Sequence, residues 1–295
     1  MTLRGVFSAV ATPFNTPDQS VNEQALRDLV ERTIDGGIHG LVPCGSTGEF
    51  AAMTAAERKR ALEVTIDQAG GRVPVIAHSG AMTTREAIDI SKHAEAVGAS
   101  AVMTVAPYYE PLDVDETKEY FRAVADSIQI PVVIYNLPVA TGVNLEPHDI
   151  ADIASKSQNV KYVKDTSGDF SQAAKLIHDY SDVVSTFVGW DTMFLGSFVE
   201  GAVGSIVGAS NFIAPQLVGV YDAVQAGDIV SAKTQWNTIF PIMQFLVSGG
   251  YVAGVKGALD LLGKSIGEPR AAISALSSER TSELQAILKQ AGLPI

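Results

Sequence analysis

The 295 residues suffice for one large domain or two small ones, and 46% apolar content with little low-complexity sequence marks a globular chain with a sizeable core. A formal charge of -12 without any run of lysine or arginine argues against nucleic acid as a partner, because a phosphate backbone repels it. The single cysteine, Cys44, excludes an internal disulfide framework and fits a reducing, cytoplasmic compartment, while the most membrane-like stretch, 194–213, is broken by Glu200 and several glycines.

The opening residues carry one arginine and a short apolar run closed by Pro13, too brief for a secretory core. Residues 6–11 read as a strand, and residues 23–34 follow with helical period, Ala25, Leu26, Leu29 and Val30 on one side. The alternation recurs seven times. Strands are predicted at 40–43, 73–77, 101–106, 132–135, 160–164, 183–188 and 203–207. The helices after them fall at 55–69, 84–97, 116–128, 148–155, 171–180, 192–200 and 215–226. Eight strand-helix units predict parallel strands with right-handed crossovers, closed into a (β/α)8 TIM barrel over 1–226. Residues 227–295 read as a C-terminal helical extension packed on the barrel, with helices at 229–247, 252–262 and 278–290.

In such barrels chemistry gathers at the carboxyl ends of the strands. Strand six ends on Lys164, after Val160, Tyr162 and Val163 and just before turn formers. A lysine beside apolar neighbours is costly to keep charged, and the neutral amine so favoured attacks a ketone; read alone, the stretch also suits a strand-end lysine that reaches out to solvent, the plainer reading. Strand two runs into Gly45-Ser46-Thr47-Gly48-Glu49, whose hydroxyls and glycine amides suit a carboxylate without a cation. Strand five ends on Tyr135, a phenol able to relay protons, and strand seven on Gly189-Trp190-Asp191. Other residues have plainer readings. Cys44 is a small buried strand residue, His78 a structural histidine, and Asp165 and Asp169 are turn and helix-start residues. Asp191 caps a helix or holds substrate hydroxyls; Lys256 and Lys264 are surface charges. The five histidines have no ligand spacing, so no metal is expected.

Three motifs in register resemble the pyruvate-dependent class I aldolases of the dihydrodipicolinate synthase and N-acetylneuraminate lyase superfamily. They are Gly45 to Glu49 (Gly-x-Thr-Gly-Glu), Tyr135 to Pro138 (Tyr-Asn-x-Pro) and the lysine context Val163 to Ser167. The resemblance implies Lys164 as Schiff-base nucleophile, Tyr135 and Ser46 in its proton relay, and Thr47 with Gly48 on the substrate carboxylate. It also implies Tyr109 reaching a neighbouring subunit's site in a homotetramer of tight dimers. Thr166 and Asp191 become polyol contacts, Ile206 a backbone contact and Gly189 a clearing for substrate. The substrate is then a 2-oxo acid, pyruvate or derived from it, bound as an imine on Lys164 without any other cofactor. Departures redirect the expectation. Ala140 stands where lysine-pathway synthases carry arginine, and Thr192 and Gly208 where sialic acid lyases carry an acid and a serine. These point to a shorter 2-oxo-3-deoxy acid, cleaved or dehydrated, with Val139, Ala140, Trp190 and Phe212 lining an apolar aldehyde pocket. The alternatives are dihydrodipicolinate synthesis, N-acetylneuraminate cleavage, and 2-oxo-acid binding without turnover.

Overall fold

The computed structural model describes residues 2–295. Eight strands form one sheet in the order β2-β1-β8-β7-β6-β5-β4-β3, with β1 at Gly5–Ala9, β2 at Gly40–Val42, β3 at Ile76–His78 and β4 at Ala101–Val105. The remaining strands are β5 (Val132–Asn136), β6 (Val160–Asp165), β7 (Ser185–Val188) and β8 (Gly204–Val207). The strand pairings are parallel, and with the alternating helices they give the predicted (β/α)8 TIM barrel. Residues of β1, β4 and β5 are buried throughout, which is why these segments read as mostly apolar runs, with Ser8, Thr104 and Asn136 the polar exceptions.

By contact the chain falls into two compact units: one of the N-terminal residues up to Arg4 with Pro74–Ile206, the other of Gly5–Val73 and Val207–Ile295. The second unit holds α1 (Glu23–Asp35) and α2 (Ala55–Ala69), the latter opened by a reciprocal cap between Thr54 and Glu57. The first unit holds α3 (Thr84–Ala96), α4 (Val114–Asp126), α5 (Pro138–Thr141), α6 (Pro147–Lys156), α7 (Phe170–Asp179) and α8 (Phe194–Glu200). Helix α4 starts two residues before its predicted position because Asp113 and Glu116 cap one another. The short α5 was not predicted, since one turn shows no period; Pro138 occupies its first turn and Gly142 ends it in the left-handed region.

The second unit continues with α9 (Ser210–Gln225), α10 (Ile229–Val247), α11 (Tyr251–Leu261) and α12 (Ser278–Gln290). The backbone of α9 departs from helix at Ile213, just before Pro215, which cannot donate to the preceding turn. The sequence therefore places the start of this helix five residues too late. No helix among the described residues is long and apolar enough to cross a membrane.

Candidate active site

In the first unit Lys164 is the penultimate residue of β6 and pairs in register with Tyr135 on β5. Neighbours across a parallel pair point the same way, so the two side chains meet: Lys164 Nζ lies 4.1 Å from the centre of the Tyr135 ring. Both are buried, at 6% and 4% exposure. The edge of His78 at the end of β3 packs against the same tyrosine, its ring centre 6.3 Å away at 84°. Gly189, just past β7, lies against the lysine stem; an added Cβ would stand 2.4 Å from Lys164 Cε and 2.2 Å from Thr166 Oγ1. Thr166 is buried with its hydroxyl unpartnered, and Asp191 is buried in a short 3-10 turn, Asp191–Met193. Ile206 is buried in β8, whereas Tyr109, beyond β4, is 81% exposed.

The backs of β5 and β6 are clamped by a polar network. Asn136 donates to Asp165 Oδ1 at 3.0 Å and to Asn144 Oδ1 at 2.9 Å, while its own carbonyl oxygen accepts from Leu145 N–H at 3.1 Å. Asp165 also accepts from Gln172 at 3.0 Å and Ser167 at 2.8 Å. Burial pushes its carboxyl above the usual range, against the pull of these three donors. Asp165 is thus the hub of a buried network and not the turn residue its sequence neighbours suggested. Asp169 caps α7 as expected, accepting from Ser171 and Gln172 N–H.

In the second unit the loop after β2 is closed by its own backbone: Gly48 N–H donates to Gly45 O at 3.0 Å and Phe50 N–H to the same oxygen at 3.3 Å. Thr12, three residues beyond β1, donates its hydroxyl to Gly48 O at 2.7 Å. Ser46 is exposed and Thr47 buried. Asn211 steadies the neighbouring backbone, donating to Ala9 O and Gly208 O and accepting from Ala11 N–H at 3.0 Å. Cys44 is buried in the left-handed region at φ 56°, and burial raises its thiol to about 12, so it is an inert residue.

Two residues of α11 were missed. Tyr251 accepts from Gly208 N–H at 2.9 Å, and a Cβ on Gly208 would stand 2.7 Å from its ring and 3.1 Å from Thr47 Cγ2. The strand-eight position is glycine because this tyrosine takes the space. Lys256, expected on the surface, is buried and lies 2.7 Å from Glu49 Oε1, side chains 2% and 0% exposed. Burial lowers its pKa, opposed by the Glu49 charge. Breaking such a pair on one side costs about 3–5 kcal/mol. The available signal was a charge on a helix whose neighbours Ala253, Val255, Ala258 and Leu259 are all apolar. Lys264 is exposed, as expected. No group of three His, Cys, Asp or Glu among the described residues is placed to hold a metal.

Comparison with known proteins gives one answer. The model of the dihydrodipicolinate synthetase family matches residues 2–291. The chain is 34% identical over 292 residues to 4-hydroxy-tetrahydrodipicolinate synthase of Methanopyrus kandleri, covering 99% of this chain and 97% of that one. It is 34% identical over 293 residues to an uncharacterized DapA-like lyase of Halobacterium salinarum, covering 99% and 95%. Among solved structures, it matches YagE, an Escherichia coli K12 prophage protein of the dihydrodipicolinic acid synthase family crystallised with pyruvate. There the TM-score is 0.94 at 29% identity, with both chains wholly covered.

Proposed function

Because the chain belongs to the dihydrodipicolinate synthetase family, whose members are class I Schiff-base lyases, we propose that Lys164 forms an imine with a 2-oxo acid and cleaves or dehydrates a short 2-oxo-3-deoxy acid. The observation that carries this reading is the buried Lys164 amine against the face of Tyr135. In the aldol case the amine adds to the C2 carbonyl, water leaves, and the iminium takes up the electrons of the breaking C3–C4 bond. Tyr135, relayed through Ser46, accepts the proton of the C4 hydroxyl as the aldehyde departs and returns one to C3 of the enamine. Hydrolysis then frees pyruvate and Lys164. Thr47 and Gly48 hold the carboxylate, with the Ile206 carbonyl facing the substrate; Gly189 leaves room for it, and Thr166 and Asp191 meet its hydroxyls.

Ala140, exposed after β5, supports a substrate without a second carboxylate, since it lacks the bidentate partner an arginine supplies, commonly worth about 1.5–3 kcal/mol. The name of the Methanopyrus relative favours a second reading, condensation of pyruvate with aspartate semialdehyde. We also propose a cytoplasmic homotetramer built from tight dimers; the exposed Tyr109, which shares a groove of about 810 Å³ with Met82, Pro107 and Leu112, supports the subunit contact.

Pyruvate with borohydride is expected to add one reduced adduct at Lys164 by mass spectrometry, absent in Lys164→Ala; lack of an adduct in the native protein sinks the reading. Pyruvate release from 2-oxo-3-deoxy acids, set beside pyruvate consumption with aspartate semialdehyde, separates cleavage from condensation. An adduct without turnover of any candidate would leave a binding protein.

A further inference from the structure

We infer that Lys256, Glu49 and Arg270 are positioning residues through which the C-terminal segment aims the loop of residues 45–49 at the substrate carboxylate, an inference that rests on the roles of Thr47 and Gly48 given above. Glu49 ends that loop in the left-handed region, φ 59°, where a non-glycine residue stays only if its surroundings hold it. Its carboxylate is held from far along the chain: Oε1 by Lys256 Nζ at 2.7 Å, Oε2 by Arg270 N–H at 2.8 Å. Lys256 is itself fixed, donating to Glu268 O at 3.0 Å. The Arg270 guanidinium donates to both oxygens of Glu57 at 2.8 and 3.1 Å and to Ala52 O at 2.8 Å, gripping the backbone just past the loop. Both cations lie on the ring of Phe14, at 4.4 and 4.2 Å from its centre.

A buried ion pair is weak evidence for stability, because desolvation offsets most of the attraction; what it supplies well is a single geometry. Here that geometry belongs to a loop with little regular structure of its own. Its backbone N–H groups bind an anion only when they converge, and the turn that carries Thr47 closes on Glu49: Glu49 N–H donates to Ser46 O at 3.2 Å and Gly48 N–H to Gly45 O at 3.0 Å, so the direction the pair gives Glu49 sets that turn.

The test uses the full chain as Glu49→Gln/Lys256→Met, which removes both charges together and leaves no lone buried ion, beside Lys256→Met alone. Borohydride trapping at Lys164 is followed against pyruvate concentration and, in parallel, against hydroxyacetone, a ketone without a carboxylate. In the double variant, half-saturating pyruvate is expected to rise about tenfold or more while the hydroxyacetone curve stays within about twofold of wild type. Wild-type pyruvate affinity in a folded double variant overturns the inference. Equal loss for both ketones also overturns it, by reducing the pair to a structural role. If wild type traps neither ketone at Lys164, the functional reading itself has failed. Lys256→Met is expected to be at least as impaired as the double variant for pyruvate.

Discussion

Gly189 leaves room for the Lys164 stem by having no side chain. A methyl group there would overlap both the Lys164 stem and the Thr166 hydroxyl, and ordinary adjustments of a few tenths of an ångström do not relieve contacts of 2.4 and 2.2 Å. Gly189→Ala is therefore expected to push the lysine off the Tyr135 ring and lower the rate of borohydride-trapped adduct at least about tenfold, with a stability loss of about 1–3 kcal/mol from overpacking. An unchanged trapping rate would remove Gly189 from the site. The placing of the lysine and tyrosine at the ends of neighbouring strands was legible in the sequence, because each is locally odd, a cation and a phenol closing an apolar run; the roles proposed for them came from the resemblance of the motifs around them. Lys256 is just as odd. It was read as a surface charge because its partner stands at the other end of the sequence, and helical periodicity reports only neighbours a turn or two away.

Contact between Gly208, just past β8, and α11 defines what position 208 accepts. Tyr251 hydrogen-bonds the Gly208 backbone and occupies the volume of any side chain there. Gly208→Ser alone is expected to destabilise the protein by about 1–3 kcal/mol, because the new side chain meets a ring. Adding Tyr251→Ala should recover part of that loss in urea unfolding, a coupling between adjacent residues. Strictly additive losses would show that the two do not share the space. Apart from α9, whose start was placed five residues late, helices long enough to show a period were predicted within about two residues of their observed bounds; those missed were the four residues of α5 and the three-residue turns at Phe50–Ala52 and Asp191–Met193. Single turns are fixed by tertiary hydrogen bonds and steric fit, which leave no repeating pattern in the sequence. The polar hub at Asp165 escaped for a related reason: Asn136, Gln172 and Ser167 converge on it from β5, α7 and the connecting loop, and only the paired strands bring them together.

Across the whole chain, eightfold alternation made the barrel readable before any site, since parallel strands buried on both faces cannot hide their apolar character. Acid stability is also a property of the chain as a whole, and one long-range pair gives it a testable sign. The hydrogen bond from Arg270 holds Glu57 down at about 2, below its ordinary 4.5, with smaller help from Thr54 and against burial. A depressed carboxyl contributes stability above the unfolded value and loses it as pH falls through the folded one. Wild type should exceed Glu57→Gln in unfolding free energy at pH 7 by about 0.5–1.5 kcal/mol, discounted for partial exposure. That margin should shrink steadily between about 4.5 and about 2. Urea titrations at pH 7, 4 and 2.5 check it; a margin independent of pH would sink the assignment.

Arg270 lies 221 residues after Glu49, to whose carboxylate its N–H donates. At about 5–20 residues per second a ribosome needs on the order of 10–40 s to make that interval. For most of that time the growing polypeptide carries Glu49 without either of its distant partners, since Lys256 too is made only near the end of the interval. A protein assembled in this order matures at the loop of residues 45–49 last, although that loop is among the first parts translated.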